Sequence, residues 1–111
     1  MKHVFVICAY KESPYLEECI NSLIRQTKKS NIIIVTSTPN PYIHNMANKY
    51  EIDYYVNEGQ GGITQDWNFG YKCVREIYHS KYITIAHQDD VYEKEYLAAV
   101  LHYAKKTSHP L

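Results

Sequence analysis

Hydrophobic positions along this chain fall in short runs separated by amphipathic stretches, an alternation that predicts four strands and four helices. His3 to Tyr10, with VFVICAY at its centre, is a nearly continuous apolar run, the pattern of a strand covered on both faces. Ser13 followed by Pro14 predicts a helix start, with the hydroxyl as cap and proline in the first helical position. Glu17 and Glu18 load its first turn. Leu16, Cys19, Ile20, Leu23 and Ile24 recur on one face, and Lys28 and Lys29 close it. Asn31 to Val35 reads as a second buried strand. Asn40–Pro41 repeats the cap-then-proline logic for a helix from Pro41 to about Tyr50. Asp53 to Val56 is a shorter strand, placed towards an edge.

The turn NEGQGG, residues 57–62, is flexible enough for backbone to approach a ligand or simply to reverse. Thr64 is the expected cap of a third helix, with Asp66 in its first turn. Ile63, Trp67, Gly70, Tyr71, Val74, Ile77 and Tyr78 keep helical spacing. Tyr82 to Ala86 predicts a fourth strand buried in the sheet. A last helix runs from about Glu93 to Lys106 with Leu97, Val100, Leu101 and Ala104 inward. Strictly alternating β and α segments argue for a single Rossmann-like α/β domain over residues 1–111 with a mostly parallel sheet and right-handed crossovers.

The fourth strand ends in His87-Gln88-Asp89-Asp90, at the sheet edge where open α/β folds bind ligands. Adjacent carboxylates repel unless solvent or a cation relieves them, and oxygen ligands on a loop suit Mg²⁺ or Mn²⁺. Helix capping is the competing reading: Asp90 with Glu93 three residues on has capping-box spacing. His87 is either a metal ligand, a base or a hydrogen-bond donor to phosphate, or a structural hydrogen-bonder. Tyr10 either stacks on a base or packs on the sheet rim. Trp67 reads as core ahead of cofactor platform, and Asn68, beside an apolar face, needs a partner.

Composition narrows the classes. Net charge is zero and the aromatics do not interleave with a basic patch, which gives no footing for nucleic acid. Twelve tyrosines suit a polar binding rim as well as a core. Cys8, Cys19 and Cys73 form no CxxC or zinc spacing and read as reduced core thiols of a cytoplasmic protein. No apolar stretch reaches membrane-span length, and the N-terminal run lacks signal-peptide features. GxSxG, HExxH and P-loop patterns are absent.

Four segments resemble the nucleotide-binding half of a family 2 glycosyltransferase of the GT-A type. VFVICAYKESPYLEECINSLIRQT is similar to that family's first strand, A-Y-N-E turn and helix ending S-L-x-x-Q-T. NIIIV matches its second strand. GGITQDWNFGYKCV is similar to the Gly-rich turn and A-R-N-x-G helix, and YITIAHQDDVYEKEYL to the strand with its D-x-D-D loop. The resemblance implies a donor site for a nucleoside diphosphate sugar, with Ala9, Tyr10, Glu12, Thr36 and Asn68 around the nucleotide. Asp89, Asp90 and His87 would hold Mn²⁺ or Mg²⁺, and the sugar would pass to an acceptor hydroxyl. It implies that acceptor site and catalytic base belong to a half this chain lacks. His87 stands where the family has its first D-x-D acid, and Thr36-Ser37-Thr38-Pro39 where an acidic turn reads uracil. Lys11 replaces the Asn of A-Y-N-E and Trp67 the Arg of A-R-N. The alternatives are a non-catalytic α/β module that binds a nucleotide or partner, assembled as a homodimer, and a metal-dependent phosphate hydrolase using Asp89 and Asp90.

Overall fold

The computed structural model of the chain describes residues 3–107, with side chains described for residues 3–104. Strands β1 (His3–Cys8), β2 (Asn31–Thr36), β3 (Asp53–Val56) and β4 (Tyr82–His87) alternate with helices α1 (Leu16–Ile24), α2 (Pro41–Lys49), α3 (Ile63–Cys73) and α4 (Tyr96–Thr107). The strands form one all-parallel sheet in the order β3-β2-β1-β4.

Period-two alternation divides the central strands between two cores. Phe5, Ile7 and Ile34 face one way, under Leu16, Cys19, Ile20 and Leu23 of α1, Ile43 and Ala47 of α2, and Leu97, Leu101 and Ala104 of α4. Val4, Val6, Ile33 and Val35 face the other way, under Cys73 and Val74 at the end of α3. Strands sandwiched this way read as continuous apolar runs. Each fully buried Leu, Ile or Phe contributes about 1.5–3 kcal/mol.

Local details depart from the sequence reading at several points. The regular helix α1 starts at Leu16 with Tyr15 in the cap position and without a side-chain cap there, but Ser13 Oγ accepts from the Tyr15 amide at 3.2 Å, a capping-type bond one turn earlier. The helix ends at Ile24, and Lys29 Nζ reaches back to donate to the Ile24 carbonyl at 2.9 Å. Asn40 does cap α2, accepting from the Ile43 amide at 2.9 Å, with Pro41 following as expected. Thr64 lies inside α3, whose N-cap is Gly62 at φ 129°, a conformation that suits glycine. Its buried face is Asp66, Gly70 and Cys73, whereas Ile63, Trp67 and Tyr71 are exposed. After Cys73 the helix widens into a π-turn, Val74–Tyr78, that closes on His79 in the left-handed region. Among the described residues strand β4 pairs with β1 alone, and Ile83, Thr84 and Ile85 are half-buried, so it is an edge of this sheet. A short apolar run does not distinguish an edge from a centre. Lys105 and Lys106 fall in the last turn of α4, and their side chains and residues 108–111 lie outside the described residues.

His3 stitches together the amino ends of three strands. Its Nδ1 lies 2.8 Å from Ser30 Oγ and its Nε2 2.7 Å from Thr84 Oγ1. Ser30 Oγ donates to the His3 carbonyl at 2.6 Å, so the network assigns Nδ1–H as the donor to Ser30 and Nε2 as the acceptor from Thr84. Burial pushes the folded-state pKa of this ring down from 6.5 to about 4. The unfolded chain therefore binds the extra proton between those values, and stability present above pH 6.5 is lost as pH falls through 4. The full linkage is ~3 kcal/mol, which solvent at the ring edge reduces to about 1–2 kcal/mol. Urea unfolding at pH 7.5 and pH 4.5 is expected to show His3→Gln losing that much less stability on acidification than the unaltered chain; equal losses would contradict the assignment.

Candidate functional site

The chain moves outward from β1 to β2 and β3, then returns to add β4 on the other side of β1. The carboxyl ends of β1 and β4 thus flank a topological switch point, where parallel sheets leave a crevice. Here that crevice is a cleft of about 650 Å³. Cys8, Ala9 and Tyr10 wall it from the end of β1, and Ile85 to Asp89 from the end of β4. Gly62, Ile63, Asp66 and Trp67 wall it from the start of α3.

Side-chain amides lock the two strand ends together. Gln88 Oε1 accepts from the Tyr10 amide at 3.1 Å, and Gln88 Nε2 donates to the Tyr10 carbonyl at 3.2 Å. This extends the β1–β4 ladder past the last strand residue. His87 to Asp90 then form a tight turn, with the Asp90 amide donating to the His87 carbonyl at 3.0 Å. Lys11 follows Tyr10 at φ 54°, held by Thr38 Oγ1 accepting from its amide and Asn40 Nδ2 donating to its carbonyl. A lysine there bears left-handed strain of about 1 kcal/mol.

Asp89 and His87 are oriented by their neighbours. Ser13 Oγ donates to Asp89 Oδ1 at 2.5 Å, and Ser13 is itself buried, its carbonyl accepting from Tyr42 Oη. Asp89 Oδ2 has no protein partner among the described residues and faces solvent. The Asp89 amide donates to His87 Nδ1 at 3.3 Å. In the neutral ring this leaves the proton on Nε2, which then acts as a donor. Burial, with the Asp66 charge second, raises the Cys8 thiol to about 12. Burial, followed by the charges of Asp90 and Asp89, does the same to Cys19. Cys8, Cys19 and Cys73 are all free thiols.

Asp66 is 5% exposed on the cleft wall. Its Oδ2 accepts from Ser37 Oγ at 3.0 Å and its Oδ1 from Asn57 Nδ2 at 3.1 Å. Gly61 makes room for this arrangement, since a Cβ there would stand 2.9 Å from Ser37 Oγ.

Of the residues singled out from sequence, Ala9, Tyr10, His87 and Asp89 meet in the cleft. Glu12, Asn68 and Asp90 are exposed outside its lining, and Asn68 needs no partner because water reaches it. Thr36 is fully buried, its Oγ1 accepting from the Thr38 amide at 2.9 Å. The capping-box reading of Asp90 fails, because α4 begins at Tyr96. Trp67 is 44% exposed on the cleft wall, not core. Sequence reasoning passed over Asp66 as a site residue. Its signal was the i, i+4, i+7 spacing to Gly70 and Cys73, which puts a carboxylate on the buried face. Among the described residues no three His, Cys, Asp or Glu side chains converge as a cation site. No described helix is long and apolar enough to cross a membrane.

A parallel sheet with helices on both faces and a cleft at the β1/β4 switch point is a Rossmann-like α/β arrangement of the GT-A type. The chain belongs to glycosyl transferase family 2, whose family profile matches residues 4–109. Among solved structures, S. aureus TarS is similar at 18% identity and a TM-score of 0.80, over 97% of this chain and 20% of that one. S. aureus TarS 1-349 in complex with UDP aligns at 18% identity and a TM-score of 0.78, over 96% and 32%. A 4-diphosphocytidyl-2C-methyl-D-erythritol synthase aligns at 14% identity and 0.64, over 79% and 46%. This chain therefore spans a fifth to a third of the TarS chains. No curated protein matches it significantly.

Proposed function

We propose that this chain carries the donor site of a glycosyltransferase, taking a nucleoside diphosphate sugar into the cleft between the ends of β1 and β4. The observation that carries the reading is the convergence of Ala9, Tyr10, His87, Asp89 and the start of α3 around one ligand-sized space. The family membership and the UDP complex of a TarS structure support the same ligand class. Tyr10, exposed at the rim, offers a face to the nucleotide. His87 Nε2–H donates to a phosphate oxygen.

Asp89 has one oxygen fixed by Ser13 and one free, which fits a Mg²⁺ or Mn²⁺ held by one carboxylate and the donor phosphates. Such an ion would neutralise charge on the departing diphosphate. The acceptor hydroxyl would form a bond to the anomeric carbon as that carbon's bond to the diphosphate breaks, with a general base taking the hydroxyl proton. Thr36 has a supporting role, since its Oγ1 fixes the turn that presents Ser37.

Calorimetric titration with UDP, GDP, CDP and ADP, with and without Mn²⁺, tests this. At least one nucleotide is expected to bind more tightly with Mn²⁺. Asp89→Ala is expected to weaken that binding at least tenfold, about 1.4 kcal/mol, and to remove its Mn²⁺ dependence. A folded chain that binds none of the four would overturn the reading. The edge of β4, unpaired among the described residues, favours a second reading, a non-catalytic module that pairs with another copy or a partner. Sedimentation showing a stable dimer without nucleotide affinity would support that instead.

A further inference from the structure

We propose that Asp66 is the residue that reads the nucleobase, selecting a ring with a lactam N–H, uracil or guanine, over cytosine and adenine. This deepens the donor-site reading and rests on it. Asp66 is buried on the cleft wall, yet no cation neutralises it: the ion pair among the described residues joins Lys49 and Glu17, on other elements. Neutral donors hold it instead, Ser37 Oγ on one oxygen and Asn57 Nδ2 on the other. A carboxylate has about four acceptor positions and no donor. Two are used, so each oxygen, though satisfied within the protein, keeps an acceptor position for an N–H from a ligand in the cleft.

The topology says which end of a nucleotide this would be. Ser37 directly follows β2, while Asp89 follows β4, on the opposite side of β1. Adjacent strands are ~4.8 Å apart, so these two anchor points stand roughly 10 Å apart across the cleft. A diphosphate avoids an uncompensated carboxylate and favours the side of His87 and Asp89. The base is left on the Asp66 side, where Trp67, Ile63 and Cys8 offer apolar surface to a planar ring. Uracil N3–H and guanine N1–H can donate to the carboxylate. Cytosine N3 and adenine N1 present a lone pair at that point; their exocyclic amino groups can satisfy one oxygen while the ring nitrogen opposes the other.

The test is competitive binding to the full chain with Mn²⁺, using UDP, GDP, CDP, ADP, N3-methyl-UDP and N1-methyl-GDP. UDP, GDP or both should bind at least tenfold more tightly than CDP and ADP, and methylation of the ring nitrogen should cost the preferred nucleotide at least tenfold. Asp66→Asn preserves both internal bonds, since its amide oxygen can accept from Asn57 and its amide nitrogen can donate to Ser37. It presents the base with one donor and one acceptor, so the preference should shrink below threefold. If that variant does not fold, the methylated nucleotides decide the matter on the unaltered chain. Equal binding of all four bases, a preference for CDP or ADP, or no penalty from methylation overturns the role of Asp66 and leaves the donor cleft standing. Failure to bind any nucleotide overturns both.

Discussion

Replacing Gln26 with leucine is expected to cost about 3 kcal/mol, because this one side chain closes two helix ends. Gln26 is fully buried just beyond α1. Its Nε2 donates to the Ser22 carbonyl at 3.1 Å and the Glu93 carbonyl at 2.6 Å. Its Oε1 accepts from the Leu97 amide at 2.9 Å. The first amides of a helix have no partner within it, and Gln26 supplies one from across the fold. The neighbouring Thr27 amide donates to the Lys94 carbonyl at 2.7 Å. Leucine fills nearly the same volume, so the loss is not one of packing. It leaves buried backbone groups unpaired, at about 1–3 kcal/mol each. Thermal unfolding should show a midpoint lowered by more than roughly 10 °C. A drop of only a few degrees would mean that water replaces the clasp.

Gly70→Val is expected to destabilise by about 3 kcal/mol through a different mechanism. A Cβ on Gly70 would lie 2.7 Å from Val6 Cγ1 and 3.5 Å from Val35 Cγ2. Both valines are fully buried in central strands and cannot swing away. Alanine here trades up to about 1 kcal/mol of gained helix propensity against an overpacking cost of about 1–3 kcal/mol. Valine adds two more methyl groups and a stiffer side chain to the same gap. Val6→Ala in the same chain should restore much of the stability lost in Gly70→Ala. A double-mutant cycle with no coupling would contradict direct contact between α3 and β1. The contact matters to the site because it sets the height of α3, and hence of Asp66 and Trp67, over the sheet.

Most of the architecture was legible in the chain. Runs such as VFVICAY and NIIIV are strands because both faces are covered, and Asn40–Pro41 starts a helix because its side chain and ring satisfy the first turn. The misreadings share a cause: a local pattern had more than one solution and a distant residue chose between them. Ser13 had the chemistry of a cap and accepts from the Tyr15 amide, but sequence could not show that its hydroxyl also donates to Asp89, 76 positions away. On α3 the apolar stripe of Ile63, Trp67 and Tyr71 suggested the buried face. The close approach at Gly70 turned the helix so that Asp66 and Cys73 went inward. Gln26 bonds its own helix at Ser22, but its Glu93 and Leu97 partners come only with the return of the chain. Half of the site was visible, at the strand ends where ligands collect. The other half, on α3, depended on rotation about a helix axis that periodicity alone did not fix.

Amide chemical-shift mapping of the labelled chain during titration with UDP or GDP in Mg²⁺ tests the central claim most directly. The account predicts changes concentrated at residues 8–10, 62–67 and 85–89, around the cleft between β1, β4 and α3. Changes confined to the hollow at the opposite end of the sheet, beside His3, Asn31 and Tyr78, would contradict it, as would no change with either nucleotide.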